Sequence, residues 1–265
     1  MILHPPSKTI GLRRNAKLLL AILSCLLPTS LMAQTADEIV NKALEARGGI
    51  AKIKAVKAER ITGRISFQQG LEGTLVLELE RPHKLYSEVA VAGLKVLRVY
   101  DGKSAGWTLN PFSGQEGVAE MSAEELKEMP EESDGDGPMV DYKAKESKIE
   151  LAGKEDLEGK SVYRLQITSK TGDARSYFID PATFLTVKWT GLRKINGELL
   201  PWECALSDYR EVQGLKFPFK IDQGSPGTEF QQALTVEKVE IDPPIDESHF
   251  AKPVAPPAVA PPAQP

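Results

Sequence analysis

Residues 72–115 read EGTLVLELERPHKLYSEVAVAGLKVLRVYDGKSAGWTLNPFSGQ. Leu75, Leu77 and Leu79 alternate with Val76, Glu78 and Glu80. A period of two puts successive side chains on opposite faces of a strand, so this stretch reads as a half-buried strand. Arg81-Pro82 ends it, Leu85-Tyr86 opens a second strand, and Asp101-Gly102 marks a turn further on. Closely spaced runs joined by two-residue turns make antiparallel hairpins, because a parallel pair needs a crossover of a dozen or more residues.

The same pattern recurs downstream. Tyr163, Leu165 and Ile167 alternate with Arg164, Gln166 and Thr168; Trp202, Cys204 and Leu206 alternate with Glu203, Ala205 and Ser207; and Leu215, Phe217, Phe219 and Ile221 alternate with Lys216, Pro218, Lys220 and Asp222. Turn pairs punctuate these runs at Gln69-Gly70, Glu158-Gly159, Thr171-Gly172, Asn196-Gly197 and Gln213-Gly214. About ten strands are expected between Ala58 and Ile241. Helices flank and interrupt them. Thr35-Ala36-Asp37-Glu38 is a capping box, and Ile39, Val40, Ala43 and Leu44 follow at helical spacing until Gly48-Gly49 stops the helix. A short helix over residues 50–56 follows. Ser122 and Glu125 form a second capping box in SAEELKEMPEE, whose length Pro130 limits. Strands with a few inserted helices predict one α+β domain, a sheet with helices on one face.

The ends read differently. Arg13, Arg14 and Lys17 precede an apolar run over residues 18–27, and Leu31-Met32-Ala33 places a small residue before Gln34. Residues 1–33 are therefore expected to be an export signal, cleaved before Gln34. The apolar run is shorter than the roughly 20 residues a membrane span requires. Ile22-Leu23-Ser24-Cys25 has the outline of a lipobox, but the apolar run continues past Cys25, so acylation there is the lesser reading. Residues 251–265 are rich in Pro and Ala and predict an extended tail. The whole chain of 265 residues has a formal charge of -4. Without the four basic residues of the signal, 29 basic side chains face 37 acidic ones. That balance is not that of a nucleic-acid binder.

Little catalytic chemistry is available. The mature chain holds His83, His249 and a single thiol, Cys204. The two His have no evident partners for a triad or a zinc site, and Cys204 falls in an apolar alternation that predicts a core thiol. Asp134-Gly135-Asp136 starts like a calcium loop, but Pro138 and Met139 stand where a ligand and a glycine are required, so the segment reads as a solvated acidic loop. No phosphate-binding glycine loop, dinucleotide fingerprint or nucleophile elbow occurs. No cofactor and no metal are expected. Thirty-seven acidic residues always permit some carboxylate pair for hydrolysis, but nothing in the sequence selects one.

The order Gly73, apolar strand, Arg81-Pro82, Leu85-Tyr86, Asp101-Gly102-Lys103, Trp107, Asn110-Pro111-Phe112 and Gln115 resembles the periplasmic outer-membrane lipoprotein carrier LolA and the wider lipoprotein-sorting family. Tyr177-Phe178-Ile179-Asp180-Pro181 followed by Leu185 and Val187, and Gly214-Leu215-Lys216-Phe217-Pro218, resemble its later strands. The resemblance covers most of residues 34–250, with an acidic departure over residues 121–142. It implies a LolA-like fold: a strongly curved antiparallel β-sheet, an incomplete β-barrel, with helices covering the concave face over an apolar cavity. It also implies a non-enzymatic periplasmic carrier for lipoprotein acyl chains or lipid, monomeric, with inner- and outer-membrane transfer proteins as partners. With the strand-face argument, it gives Leu75, Leu77, Leu79, Val96, Trp107, Leu165, Trp189 and Phe217 as the expected cavity lining. Arg81 falls where the family has a lid-contacting arginine, and a guanidinium there would hold helix-end carbonyls at the rim. The rival reading is a cell-envelope structural or protein-interaction module with the same sheet and a filled core.

Overall fold

The structure, a computed structural model, describes residues 34–254 other than 115, 116 and 196, together with Met1 and His4. The expected export signal with Cys25 lies, but for those two residues, outside the described residues, as do Gln115 and residues 255–265. Helices α1 (Ala36–Ala46) and α2 (Ile50–Ala55) lead into β1 (Ala58–Phe67), β2 (Glu72–Glu80), β3 (Lys84–Val91), β4 (Leu94–Asp101), β5 (Gly106–Leu109) and β6 (Val118–Glu120). Helix α3 (Ala123–Glu132) separates these from β7 (Lys148–Leu157), β8 (Lys160–Thr168), β9 (Ala174–Ile179), β10 (Thr186–Ile195), β11 (Glu198–Val212), β12 (Leu215–Gly224) and β13 (Gln231–Ile241). The thirteen strands form one sheet in the order β6-β5-β4-β3-β2-β1-β13-β12-β11-β10-β9-β8-β7. The sequence reading of about ten strands falls short of these thirteen; β6, with three residues, is too short for alternation to register.

The ladder is antiparallel throughout and open, with β6 and β7 as its edges. The first and last strands, β1 and β13, pair in its middle. Cross-strand partners share a face. Leu77, Ser87, Arg98 and Thr108 stand in line across β2–β5 on one face, and Leu151, Leu165, Tyr177, Trp189 and Cys204 continue it across β7–β11. This inner face carries the helices. Ile39, Val40, Ala43 and Leu44 of α1 and Ile53 of α2 pack with Leu165, Ile179, Phe217, Phe219 and Val236 in the main core. A second cluster joins Met129 of α3 and Met121 to Leu85 and Tyr100, with Leu77 and Leu79 at its margin.

Local chemistry sets the helix ends. Thr35 and Glu38 cap α1 reciprocally, as Ser122 and Glu125 cap α3. Gly48, with φ of 124°, ends α1 against the β11–β12 turn. A Cβ there would stand 2.2 Å from the Gly214 carbonyl oxygen, so only glycine fits. Helix α3 runs through Pro130 to Glu132, which places the proline in its last turn.

The outer face is not simply solvated. A 3-10 turn at Glu247–Phe250 lies over β3 and β4 and buries Phe250. Beneath it Glu78 is 1% exposed, although alternation places it opposite the leucines of β2. It accepts from Arg60 Nε at 2.6 Å and lies 2.7 Å from His249 Nδ1, and the His249 ring stacks on Tyr86. His249 therefore has partners the sequence did not reveal.

Candidate functional site

The expected lining residues fall into three groups. Leu165 and Phe217 are buried in the main core under α1. Leu75, Leu77, Leu79, Val96 and Trp189 are half-buried on the inner face, Leu75 and Trp189 beside the main core and Leu77 and Leu79 beside the second cluster. Trp107 stands apart: it pairs with Val99 and Glu120, in line with Tyr86 and Glu78, and so belongs to the outer face. Alternation did not assign it because β4 and β5 bury apolar side chains on both sides, with Leu97, Val99 and Leu109 covered on the outer one.

Arg81, just past β2, closes a polar knot at the end of the inner face. Its guanidinium donates to the carbonyls of Ile53 and Val56 at the end of α2, and to both carboxylate oxygens of Asp136. The carbonyl of Asp136 accepts from Arg47 Nη1, at the end of α1, at 2.8 Å. Asp134 pairs with Lys145. The loop read as solvated is thus held by cations on three sides, with Asp136 buried. Glu59 of β1 is also buried there, in line with Leu79. Burial pushes its carboxyl up to about 7, with Asp136 and Asp242 adding to the rise and Arg47 and Arg81 opposing it. Burial likewise pushes the Cys204 thiol up to about 12, which makes it inert.

Helix α3 joins strands far apart in the sheet. Glu132 pairs with Arg98 of β4 at 3.1 Å, Glu131 with Arg175 of β9 at 3.0 Å, and Glu124 with Lys194 of β10 at 2.8 Å. A ten-residue helix spans about 15 Å, whereas β4 and β9 are eight strands apart along the ladder, each step about 4.8 Å. Both wings reach the same helix because the sheet curves strongly around its inner face. Arg175 lies 5.4 Å from the Trp189 ring and Arg193 lies 4.9 Å from the Trp202 ring. These arginines were missed at the level of sequence, but the signal was there. Arg98 stands two residues from Val96 and from Tyr100, and Arg175 two and four from Tyr177 and Ile179, so each shares a face with apolar neighbours.

Two openings frame the chemistry. A cleft of about 30 Å³, room for one water, lies among Glu59, Leu79, Arg81 and Asp136. A groove of about 1240 Å³ runs past Val162, Lys188, Ala205 and Asp222, on the face opposite Trp189 and Cys204. Its charged walls, crossed by the Lys188–Glu203 pair at 2.6 Å, are unlike an acyl-chain pocket. Among the described residues no group of three or more His, Cys, Asp or Glu side chains could hold a metal ion, and no helix is long and apolar enough to cross a membrane.

An open, curved antiparallel sheet with helices along its inner face defines the LolA-like fold. Solved structures carry the same likeness. A DUF1329 family protein from Desulfovibrio piger is 13% identical, with a TM-score of 0.55 over 82% of this chain and 98% of that one. A LolA superfamily protein from Nitrosomonas europaea is 14% identical, with a TM-score of 0.51 over 82% and 98%. A domain from Vibrio parahaemolyticus, assigned as an outer-membrane lipoprotein-sorting protein, is 13% identical, with a TM-score of 0.52 over 81% and 95%. At such identities the likeness is one of fold. No protein-family model matches the sequence, and no curated protein matches it.

Proposed function

We propose that this protein is an exported, periplasmic, non-enzymatic carrier that holds lipoprotein acyl chains, or another lipid-like ligand, against the inner face of its sheet. The observation that carries this reading is the bridge formed by α3. It ties two wings of a curved sheet together on a face where Leu75, Leu77, Val96 and Trp189 are only half-buried. Side chains of that kind gain from apolar contact that the resting structure does not complete. Leu165 and Phe217 become available only if α1 and α2 move away, so in this reading the helices are the moving parts and the sheet is the frame. Arg81 then acts at the rim, fastening α2 and the loop at 133–136 in the closed state. Transfer proteins of the inner and outer membranes would be the donors and acceptors of the ligand.

A second reading has an observation of its own: Leu165 is 0% and Phe217 7% exposed, as in a filled core. It makes the protein an envelope structural or interaction module. Purification without detergent, followed by native mass spectrometry and displacement of a fluorescent fatty acid, separates the two. The carrier reading expects a bound lipid mass, or displacement by an acylated peptide at micromolar concentration. A protein that carries no lipid and binds neither probe overturns it and leaves the filled core.

A further inference from the structure

We propose that the inner face holds a receptor for an oxyanion, built from Arg98, Arg175, Arg193 and the indole N–H of Trp202, and that the carboxylates of α3 occupy it in the absence of ligand. The proposal deepens the carrier reading and rests on it: the ligand would be an amphiphile with an acidic headgroup, phosphate or carboxylate.

Four observations converge. First, three arginines from both wings of the sheet gather beside α3. Arg98 and Arg175 pair with Glu132 and Glu131, and Arg193 is close enough to Glu128 and Glu132 to feel their charge. Secondly, Arg193 has no ion pair among the described residues, although it is exposed and flanked by acids. Neighbouring protein atoms strip away part of its water and lower its proton affinity although the side chain still reaches solvent; Glu132 opposes this, and Arg98 and Arg175 add to it. An added anion would relieve that repulsion. Thirdly, buried donors lack acceptors there: Trp202 is 4% exposed, and among the described residues neither its Nε1 nor Arg175 Nε has a hydrogen-bond partner. Buried N–H groups without acceptors are uncommon and ask for a missing one. Fourthly, the guanidiniums of Arg175 and Arg193 lie over Trp189 and Trp202. Stacking fixes the planar groups; the N–H edge of Arg193 stays open for forked hydrogen bonds to an oxyanion, while that of Arg175 is held by Glu131 and Asp173. Gly191, between the two stacks, makes room, since a Cβ there would meet Arg175 Cγ at 3.0 Å.

Glu131 and Glu132 are then stand-ins for the ligand. Binding exchanges intramolecular carboxylates for the incoming one and frees α3 from Arg98 and Arg175, leaving the Glu124–Lys194 pair as its tie to β10.

The test is titration of the full chain with short-chain phosphatidic acid, with diacylglycerol of the same chains, and with inorganic phosphate, followed through tryptophan fluorescence and calorimetry. The proposal expects phosphatidic acid to bind at least tenfold more tightly than diacylglycerol, and Arg193→Ala to abolish that preference. Arg193 gives up no ion pair, so the unfolding midpoint of its variant should fall by no more than the stacking on Trp202 is worth. Glu131→Gln with Glu132→Gln should raise the affinity for phosphatidic acid several-fold. Equal affinities for the two lipids overturn the anion receptor and leave the carrier standing. Binding of inorganic phosphate, lost in Arg193→Ala, with neither lipid bound, sustains the receptor and overturns the carrier. No binding in any arm overturns both.

Discussion

Glu59 is a carboxylic acid placed where ionisation is costly. Its carboxyl titrates at about 7 in the folded protein against 4.5 when free, chiefly through burial. Between those values the folded state keeps a proton that the unfolded chain gives up, so the stability linked to this group is whole below about pH 4.5 and falls as pH rises towards 7. The difference is of order 3 kcal/mol. Glu59→Gln is neutral at every pH and should therefore stabilise the protein at pH 8 and change little at pH 4.5. Urea midpoints at the two pH values check this, and an equal shift at both would contradict it. At this scale the sequence was partly legible. Arg81 could be placed at a strand end and, through the family resemblance, given helix-end carbonyls as partners, but Asp136 could not be named as a further one, because 55 residues separate them. Trp107 shows the opposite limit. Alternation tells which residues share a face but not which face is inner when both sides of a strand are apolar.

The helices are fastened by polar contacts as well as by packing. Arg81 holds the last carbonyls of α2 and the loop that follows α3 through one guanidinium. Arg81→Ala would leave Asp136 buried without its cation and free two carbonyls. With Arg81 partly exposed the cost should be about 2 kcal/mol. Hydrogen exchange should then quicken in α2 and at residues 133–137 while β8–β12 keep their protection. Uniform loss of protection would mean that the arginine supports the whole fold and not its helices. Both helix starts were legible, since a capping box is written in four consecutive residues. The reach of α3 was not: its pairs with Arg98 and Arg175 depend on how far the sheet curves, and curvature leaves no local mark on composition.

For the molecule as a whole, the turn at Glu247–Phe250 is a structural cover of the sheet. Phe250 is 4% exposed over β3 and β4, and its neighbour His249 meets buried Glu78. Phe250→Ala should cost about 3 kcal/mol, the usual penalty for a buried aromatic, measured by chemical denaturation. A change within a few tenths would mean that the segment is not docked in solution. Sequence alone gave the antiparallel class but not this outer cover, because the contacts join residues more than 160 positions apart. The sheet order has one more consequence. The chain runs outward from the middle to β6, crosses by way of α3, and returns from β7 to the middle at β13. It is therefore two contiguous halves, joined covalently at their outer edges and by hydrogen bonds between β1 and β13. The first half lends α1 to the core of the second. A break in the connection at 133–147 would leave two fragments that still interlock, so this protein is built as a natural pair of complementing pieces.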